Sequence, residues 1–177
     1  MKTKIYITAI FILITYFYYC NSTKPNLVSV KKAKAEIMPK SGTNVFGSVT
    51  FTQIADNSIK IVVSVVGLKP GKHGFHIHEK GDCSSNDGES ALGHWNPDKL
   101  EHSVHDKENS HAGDLGNITA NHEGSVFQEI IIKNVSLSDT KGPVGKALII
   151  HADEDNLKTQ PDGNSGKRIA CGIIRSN

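Results

Sequence analysis

The sequence lacks the features that mark several large protein classes. It has three cysteines, too few for a small scaffold held together by many disulfides. The uncharged run at residues 5–20 is shorter than the roughly 20 apolar residues of a membrane-spanning helix. With 37% apolar and 21% charged residues, the chain is neither a polytopic membrane protein nor fully disordered. Its 177 residues predict one compact domain with room for a leader or tail.

An arginine-rich or aromatic-interleaved stripe is also missing. The chain has 20 basic and 18 acidic residues, and two of the basic residues, but none of the acidic ones, lie in positions 1–20. Without those positions 18 basic residues face 18 acidic ones, and the remainder is formally neutral. We therefore expect no nucleic-acid partner.

The first 20 residues have the pattern of a secretory signal. Lys2 and Lys4 precede the uncharged run, and all four tyrosines of the chain fall within positions 6–19. Export followed by cleavage is the favoured interpretation, with an uncleaved anchor as the alternative. The predicted division of the chain is a signal peptide, a polar tether and one domain, over residues 1–20, 21–34 and 35–177.

The cysteines divide in the same way. Cys20 ends the leader, where a lipid could tether the protein to a membrane, although Tyr18 and Tyr19 are bulky for such a processing site. Cys83 and Cys171 remain as an even pair, which an oxidising compartment would allow to form a disulfide. We expect a periplasmic or extracellular protein, with the lipid anchor as an open alternative.

Short segments rich in β-branched residues recur between turn-forming residues, and no helical pattern persists for three turns. They predict eight strands, at 35–38, 45–53, 59–66, 74–78, 115–120, 125–135, 146–151 and 169–174. The expected fold is all-β, an eight-stranded Greek-key barrel or sandwich. Two long polar stretches, 79–113 and 153–167, do not fit strands and are expected to be functional loops.

All nine histidines lie between His73 and His151. His76 and His78 are two residues apart in a predicted strand, so their side chains share one face. Further candidates follow in the loops and the seventh strand: His94, His102, His111, Asp114 and His151. Taken singly, most of these histidines are best explained as polar residues without a metal. Jointly, six imidazoles and a carboxylate suit zinc or copper better than magnesium or calcium.

Five segments resemble copper/zinc superoxide dismutases, in the order that the family has them: HGFHIHE (73–79), GHWNP (93–97), HAGDLGN (111–117), IIHAD (149–153) and GNSGKRIACGII (163–174). The resemblance extends over about residues 32–175. It implies antioxidant conversion of superoxide to dioxygen and hydrogen peroxide, with one copper and one zinc per subunit. The spacing of Cys83 and His94 resembles the enlarged disulfide loop of bacterial members.

The resemblance also implies roles for individual residues. The implied copper ligands are His76, His78, His94 and His151. The implied zinc ligands are His94, His102, His111 and Asp114. Asp155 would tie a copper ligand to a zinc ligand, Arg168 would attract the anion at the active site, and a disulfide would join Cys83 to Cys171. His94 would bridge both metals and carry a proton during turnover.

The remaining histidines, His73, His105 and His122, are expected not to bind metal. After His102 the family usually has a glycine-rich turn, whereas this chain continues with Ser103, Val104 and His105, so His105 could compete for zinc. The second loop is the region expected to steer the substrate. The resemblance allows a homodimer or a monomer, and this choice stays open. Two rival functions stay open: a non-enzymatic metal-binding module of the same fold, and a structural β-sandwich with zinc as a staple.

Overall fold

The protein is described by a computed structural model that covers residues 31–104, 109–138 and 142–177. Its longer strands are β1 Lys32–Pro39, β2 Phe46–Ala55, β3 Ser58–Val66, β4 Gly71–His78, β5 Asp114–Ala120, β6 Val126–Lys133, β7 Ala147–His151 and β8 Arg168–Ile173. A two-residue strand, β9 Arg175–Ser176, pairs with β1. The predicted all-β fold with eight strands and two long loops is confirmed. The predicted signal peptide and Cys20 lie outside the described residues.

The strands form an antiparallel, nearly closed barrel. Hydrogen-bonded neighbours follow the order β5, β4, β7, β8, β1, β2, β3, β6. The two end strands meet through a side chain: Gln128 of β6 accepts a hydrogen bond from the Thr119 N–H of β5 and donates one to the Asn117 carbonyl. One amide side chain therefore joins two strands that do not pair through their main chains.

The first strand shows how short alternation encodes a barrel strand. Ala33, Ala35 and Ile37 are buried in the core, while the residues between them face outward. β1 therefore starts at Lys32 and takes in residues 32–34, which were predicted to belong to the tether. Alanine is a weak strand former, so the alternation at Ala33 gave no strong signal. The division into leader, tether and domain stays a prediction.

The strands β4 and β7 are buried on both faces. Their inward residues, Phe75, Ile77, Leu148 and Ile150, belong to the main hydrophobic core. On the other face, Ala147 and Ile149 pack with Ala91 and Cys171 in a second, smaller cluster. Because the long loops cover this outer face, polar side chains on it can be held away from water.

The first long loop, 79–113, is fixed to the barrel at several points. A disulfide joins Cys83 in this loop to Cys171 in β8, and a single 3-10 turn follows at Glu89–Ala91. Further along, Trp95 donates its main-chain N–H to the carbonyl of Ile77, at 2.8 Å.

Among the residues described, no helix is long and apolar enough to cross a membrane.

Candidate metal centre

Four histidines meet on the outer face of the barrel, and we call His76, His78, His94 and His151 the strand-side cluster. His76 and His78 come from β4, and His151 ends the neighbouring strand β7. His94 belongs to the first loop, but an isolated antiparallel bridge places it opposite His78. The loop is thereby held against β4 as a short additional strand, which brings its imidazole to the other three.

A second group shares His94, and we call His94, His102, His111 and Asp114 the loop-side cluster. Asp114 opens β5 and pairs with His76 in the β4–β5 ladder. One possible ligand atom from each member of a cluster lies within 4.8 Å of those of the other members. The imidazole of His94 therefore lies between two sets of potential ligands.

In the strand-side cluster the nitrogens without a partner are the ones available for a metal. His78 donates from Nδ1 to the Leu92 carbonyl at 2.8 Å, and His151 donates from Nδ1 to the Gly166 carbonyl at 3.2 Å. Four nitrogens of this cluster are buried and make no hydrogen bond to the described residues. They are Nδ1 of His76 and Nε2 of His78, His94 and His151. Since buried polar atoms normally have partners, four such nitrogens together fit a metal site.

The loop-side cluster surrounds a single carboxylate oxygen. Oδ1 of Asp114 lies 2.8 Å from Nδ1 of His94, 3.0 Å from that of His102 and 3.2 Å from that of His111. Oδ2 is occupied separately, by the N–H groups of Ser103 and His111. Ligands of a tetrahedral zinc lie roughly 3.4 Å apart, so this three-nitrogen, one-oxygen set fits zinc.

Asp155 joins the two clusters from behind. Its Oδ2 accepts a hydrogen bond from Nε2 of His76 at 2.8 Å, and its Oδ1 accepts one from Nε2 of His102 at 2.9 Å. Asn117 holds Asp155 in turn, because its side chain accepts the Asp155 N–H and donates to the Asp155 carbonyl. Such carboxylates fix the orientation of an imidazole and raise its basicity as a ligand.

Glycine is required beside this carboxylate. Gly163 has a φ of 68°, and a Cβ at this position would overlap Oδ1 of Asp155 and Nε2 of His102. Both the left-handed backbone and the close approach exclude a side chain there. The second loop can therefore pass directly over the hydrogen bond between Asp155 and His102.

Charge states differ between the two clusters. Burial lowers the pKa of His76 to about 4, against the opposing effect of Asp155, and burial holds the pKa values of His78 and His151 well below normal. Burial also acts on His102, but Asp114 and Asp155 outweigh it and raise its pKa to about 9. At neutral pH the lone pairs of His76, His78 and His151 are free to bind a cation, whereas a metal at the loop-side cluster displaces a proton from His102.

An open cavity of about 470 Å³ lies over the strand-side cluster, and Arg168 lines it together with His78, His94 and His151. β-pairing puts Arg168 beside His151. Its guanidinium donates from Nη1 to the Gly88 carbonyl at 2.9 Å, and Nη2 lies 3.2 Å from an exposed carboxylate oxygen of Glu89. The cavity thus presents a fixed positive charge next to the imidazoles.

The other histidines have different positions. Both ring nitrogens of His73 meet carbonyl oxygens, those of His151 and Lys69, so neither is available for a metal. His122 is exposed in a turn. The prediction for His105 lies outside the described residues. His73 therefore supports the main chain of a cluster residue without joining the cluster.

Sequence reasoning missed the supporting amides. Asn117 lies at the end of the segment HAGDLGN, but the family resemblance implied no role for it, and Gln160 lies in the second loop without any motif. Gln160 forms two hydrogen bonds with the main chain of His102. These contacts join residues that are far apart in the sequence, so they are visible only in the folded structure.

The residue after His94 is also well ordered by its surroundings. Trp95 is 5% exposed, its carbonyl accepts the Gly113 N–H, and the ammonium of Lys146 lies 5.1 Å from the centre of its ring. Such a cation over an aromatic face is attractive. The main chain directly after His94, the residue shared by the two clusters, is thereby hydrogen-bonded both to Ile77 and to Gly113.

Two comparisons with known proteins identify the family of this chain. A family model described as copper/zinc superoxide dismutase (SODC) matches residues 45–174. Among solved structures, the crystal structure of the clock protein EA4 is 35% identical, with a TM-score of 0.74, and the match covers 81% of this chain and 93% of that one. The match to the family model takes in both clusters, Arg168 and the disulfide, and the chain belongs to the copper/zinc superoxide dismutase family.

Proposed function

We propose that the protein is a superoxide dismutase that binds copper at the strand-side cluster and zinc at the loop-side cluster. The observation that carries this proposal is the set of six buried imidazole nitrogens without hydrogen-bond partners among the described residues, which converge on two adjacent points. Four imidazoles without a carboxylate suit copper, and three imidazoles with one carboxylate suit zinc.

The reaction converts two superoxide ions and two protons to dioxygen and hydrogen peroxide. Bound copper would supply the one-electron oxidation of one superoxide and the reduction of the next. The chain supplies attraction and orientation: Arg168 places a fixed positive charge in the cavity, next to His78 and His151. Superoxide dismutases are a standard example of electrostatic steering of a substrate, so this role for a cationic side chain is established for the family.

His94 is the residue proposed to handle the proton. Its Nε2 faces the strand-side cluster without a hydrogen-bond partner, while its Nδ1 lies 2.8 Å from Asp114. A proton held on Nε2 can be passed to the reduced oxygen species in the cavity. Because the loop-side cluster holds the other nitrogen, the ring keeps its position while Nε2 gains and loses the proton.

Replacement of the shared ligand tests the proposal. The wild-type chain, loaded with both metals, is expected to bind about one copper and one zinc and to dismutate superoxide. His94→Ala is expected to lower the rate at least about 100-fold, since a catalytic metal supplies several kcal/mol, and to weaken binding of both metals. Metal content by mass spectrometry and decay of superoxide after pulse radiolysis are the measurements.

His122→Ala is the matched control, because this histidine is exposed in a turn outside both clusters. It should leave rate and metal content unchanged. Full activity and metal content in His94→Ala would refute the assignment. Metal binding by the wild-type chain without turnover would instead favour the non-enzymatic metal-binding module.

We also propose that the protein is exported, to the periplasm or to the outside of the cell. The disulfide between Cys83 and Cys171 is compatible with an oxidising compartment. Mass spectrometry of the mature N-terminus is the test. An unmodified start beyond Cys20 would support export with cleavage and exclude the lipid anchor, whereas an intact leader would contradict cleavage.

A further inference from the structure

One side chain of the second loop holds the main chain of a loop-side residue at two points. Oε1 of Gln160 accepts a hydrogen bond from the N–H of His102 at 2.7 Å. Nε2 of Gln160 donates to the carbonyl of His102 at 2.8 Å. The two residues are 58 positions apart, so this contact joins the first long loop to the second.

The geometry points to Gln160 as a positioning residue for the loop-side cluster: its amide clamps the main chain of His102 and so fixes the ring nitrogen that would bind zinc. This inference rests on the proposed function, because it takes the loop-side cluster to be a metal site. It assigns to the second loop a direct part in holding that metal.

The clamp complements the hydrogen bond made by Asp155. Asp155 fixes the far side of the His102 ring, at Nε2, whereas Gln160 fixes the backbone from which the ring extends. With the ring held at one nitrogen and the main chain held at both polar groups, little rotation about the side-chain bonds remains. Nδ1 of His102 then stays directed towards Asp114 without having to be ordered on binding.

The residues that directly follow His102 give its ring little support. They are Ser103 and Val104. Ser103 contributes one bond to the cluster, from its N–H to Oδ2 of Asp114 at 3.1 Å. Val104 is exposed and does not cover the cluster. Support for His102 therefore comes from the second loop, through Gln160 and Asp155.

Asn117 provides an internal comparison within the same network. It also makes a two-point clamp, but on the main chain of Asp155. Asn117 thus acts on both clusters, because Asp155 contacts His76 as well as His102. The hydrogen bonds of Gln160 to the clusters go to His102, so loss of its amide should affect the loop-side metal selectively.

The test replaces Gln160 with residues that remove one or both hydrogen bonds. Gln160→Met keeps the length of the side chain and loses both bonds, whereas Gln160→Glu keeps the acceptor and loses the donor. Thr159→Val is the control: it removes a hydrogen bond from Asn156 in the same loop but no contact with His102. Both positions are exposed in the second loop, and circular dichroism of each variant verifies that the barrel is folded.

The measurements are the rate of zinc release to a coloured chelator and the visible absorption of cobalt bound in place of zinc. Gln160→Met should release zinc about 10-fold faster than the wild type, as expected for loss of a residue that orients a ligand, and Gln160→Glu should fall between them. The cobalt bands should change in Gln160→Met and stay unchanged in Thr159→Val. Copper binding at the strand-side cluster should be unaffected.

Wild-type release rates and cobalt spectra in Gln160→Met would overturn the clamp while leaving the proposed function intact. Equal acceleration in Thr159→Val would also overturn it, because the effect would then belong to the loop in general. A wild-type chain that binds no zinc or cobalt would overturn the proposed function, and the clamp with it. The three results are distinguished by comparing wild type, variant and control in one experiment.

Discussion

Arg168 carries the positive charge that faces the cavity. Its side chain is 14% exposed and is anchored by the Gly88 carbonyl, so the guanidinium is held in place without being removed from solvent. Arg168→Gln should lower the second-order rate constant for superoxide about 10-fold and flatten its dependence on ionic strength. Metal content should stay unchanged. Pulse radiolysis at low and high salt measures both effects.

The matched control is Arg175→Gln. Arg175 is exposed in β9 and does not line the cavity, so this variant makes the same change in net charge elsewhere. A salt dependence in Arg168→Gln as steep as that of the wild type would contradict the steering role. An equal loss of rate in both variants would assign the effect to net charge alone.

At the residue scale, the candidate ligands could be predicted because histidine chemistry is visible in the sequence. His76 and His78 share a strand face by their spacing alone, and the remaining ligands followed from the family motifs. Gln160 and Asn117 could not be found in this way. An amide in a polar segment has the composition of any solvated loop, and its partner is a main-chain group more than 35 residues away.

At the scale of elements, the disulfide is the strongest link between the first loop and the barrel. It joins residues separated by 88 positions, and Cys171 is paired with Met38 and Ile149 in the sheet. Closing a loop of that length restricts the unfolded chain by about 4–5 kcal/mol in the chain-entropy model. The bond should therefore stabilise the domain and keep Gly88 beside Arg168.

Replacement of both cysteines tests this expectation. The double variant Cys83→Ser, Cys171→Ser should lose about 4–5 kcal/mol of unfolding free energy in urea titrations of the metal-free protein. Wild-type protein treated with a reductant serves as the control and should lose a similar amount. A loss below about 1 kcal/mol in both samples would show that the loop is held by its other contacts.

Strands were predictable where buried and outward residues alternated, as in β3, or where a short apolar run was bounded by turns, as in β7. The start of β1 was missed because alanine at position 33 packs into the core without being a typical strand residue. The closure between β5 and β6 was not predictable either. It depends on a side-chain contact by Gln128, which sequence periodicity does not describe.

At the scale of the whole molecule, the buried imidazoles make the metal-free protein sensitive to acid. Burial holds the pKa of His76 at about 4, and those of His78 and His151 well below normal, whereas unfolded histidines titrate near 6.5. Between about pH 6.5 and about pH 4 the unfolded chain binds protons that the folded chain does not. Stability should therefore fall as pH falls through this window.

His102 does not reverse this trend. Its pKa is raised to about 9, so it is protonated in both states below pH 6.5 and its contribution is constant there. The expected slope is about 1 kcal/mol per pH unit for each of the three buried neutral imidazoles. Thermal melting of chelator-treated protein across the window measures it. A melting temperature that stays flat or rises with acidification would contradict the assignment, and His122→Gln should follow the wild-type curve.

Trp95 has a practical consequence for all of these experiments. It is the single tryptophan of the chain, no tyrosine occurs beyond Tyr19, and its buried ring follows directly after the shared histidine. The intrinsic fluorescence of the folded domain therefore comes from one indole beside the candidate metal centre. Arrival of a paramagnetic ion at His94, or release of the first loop, should be visible as quenching or a shift in emission without any added dye.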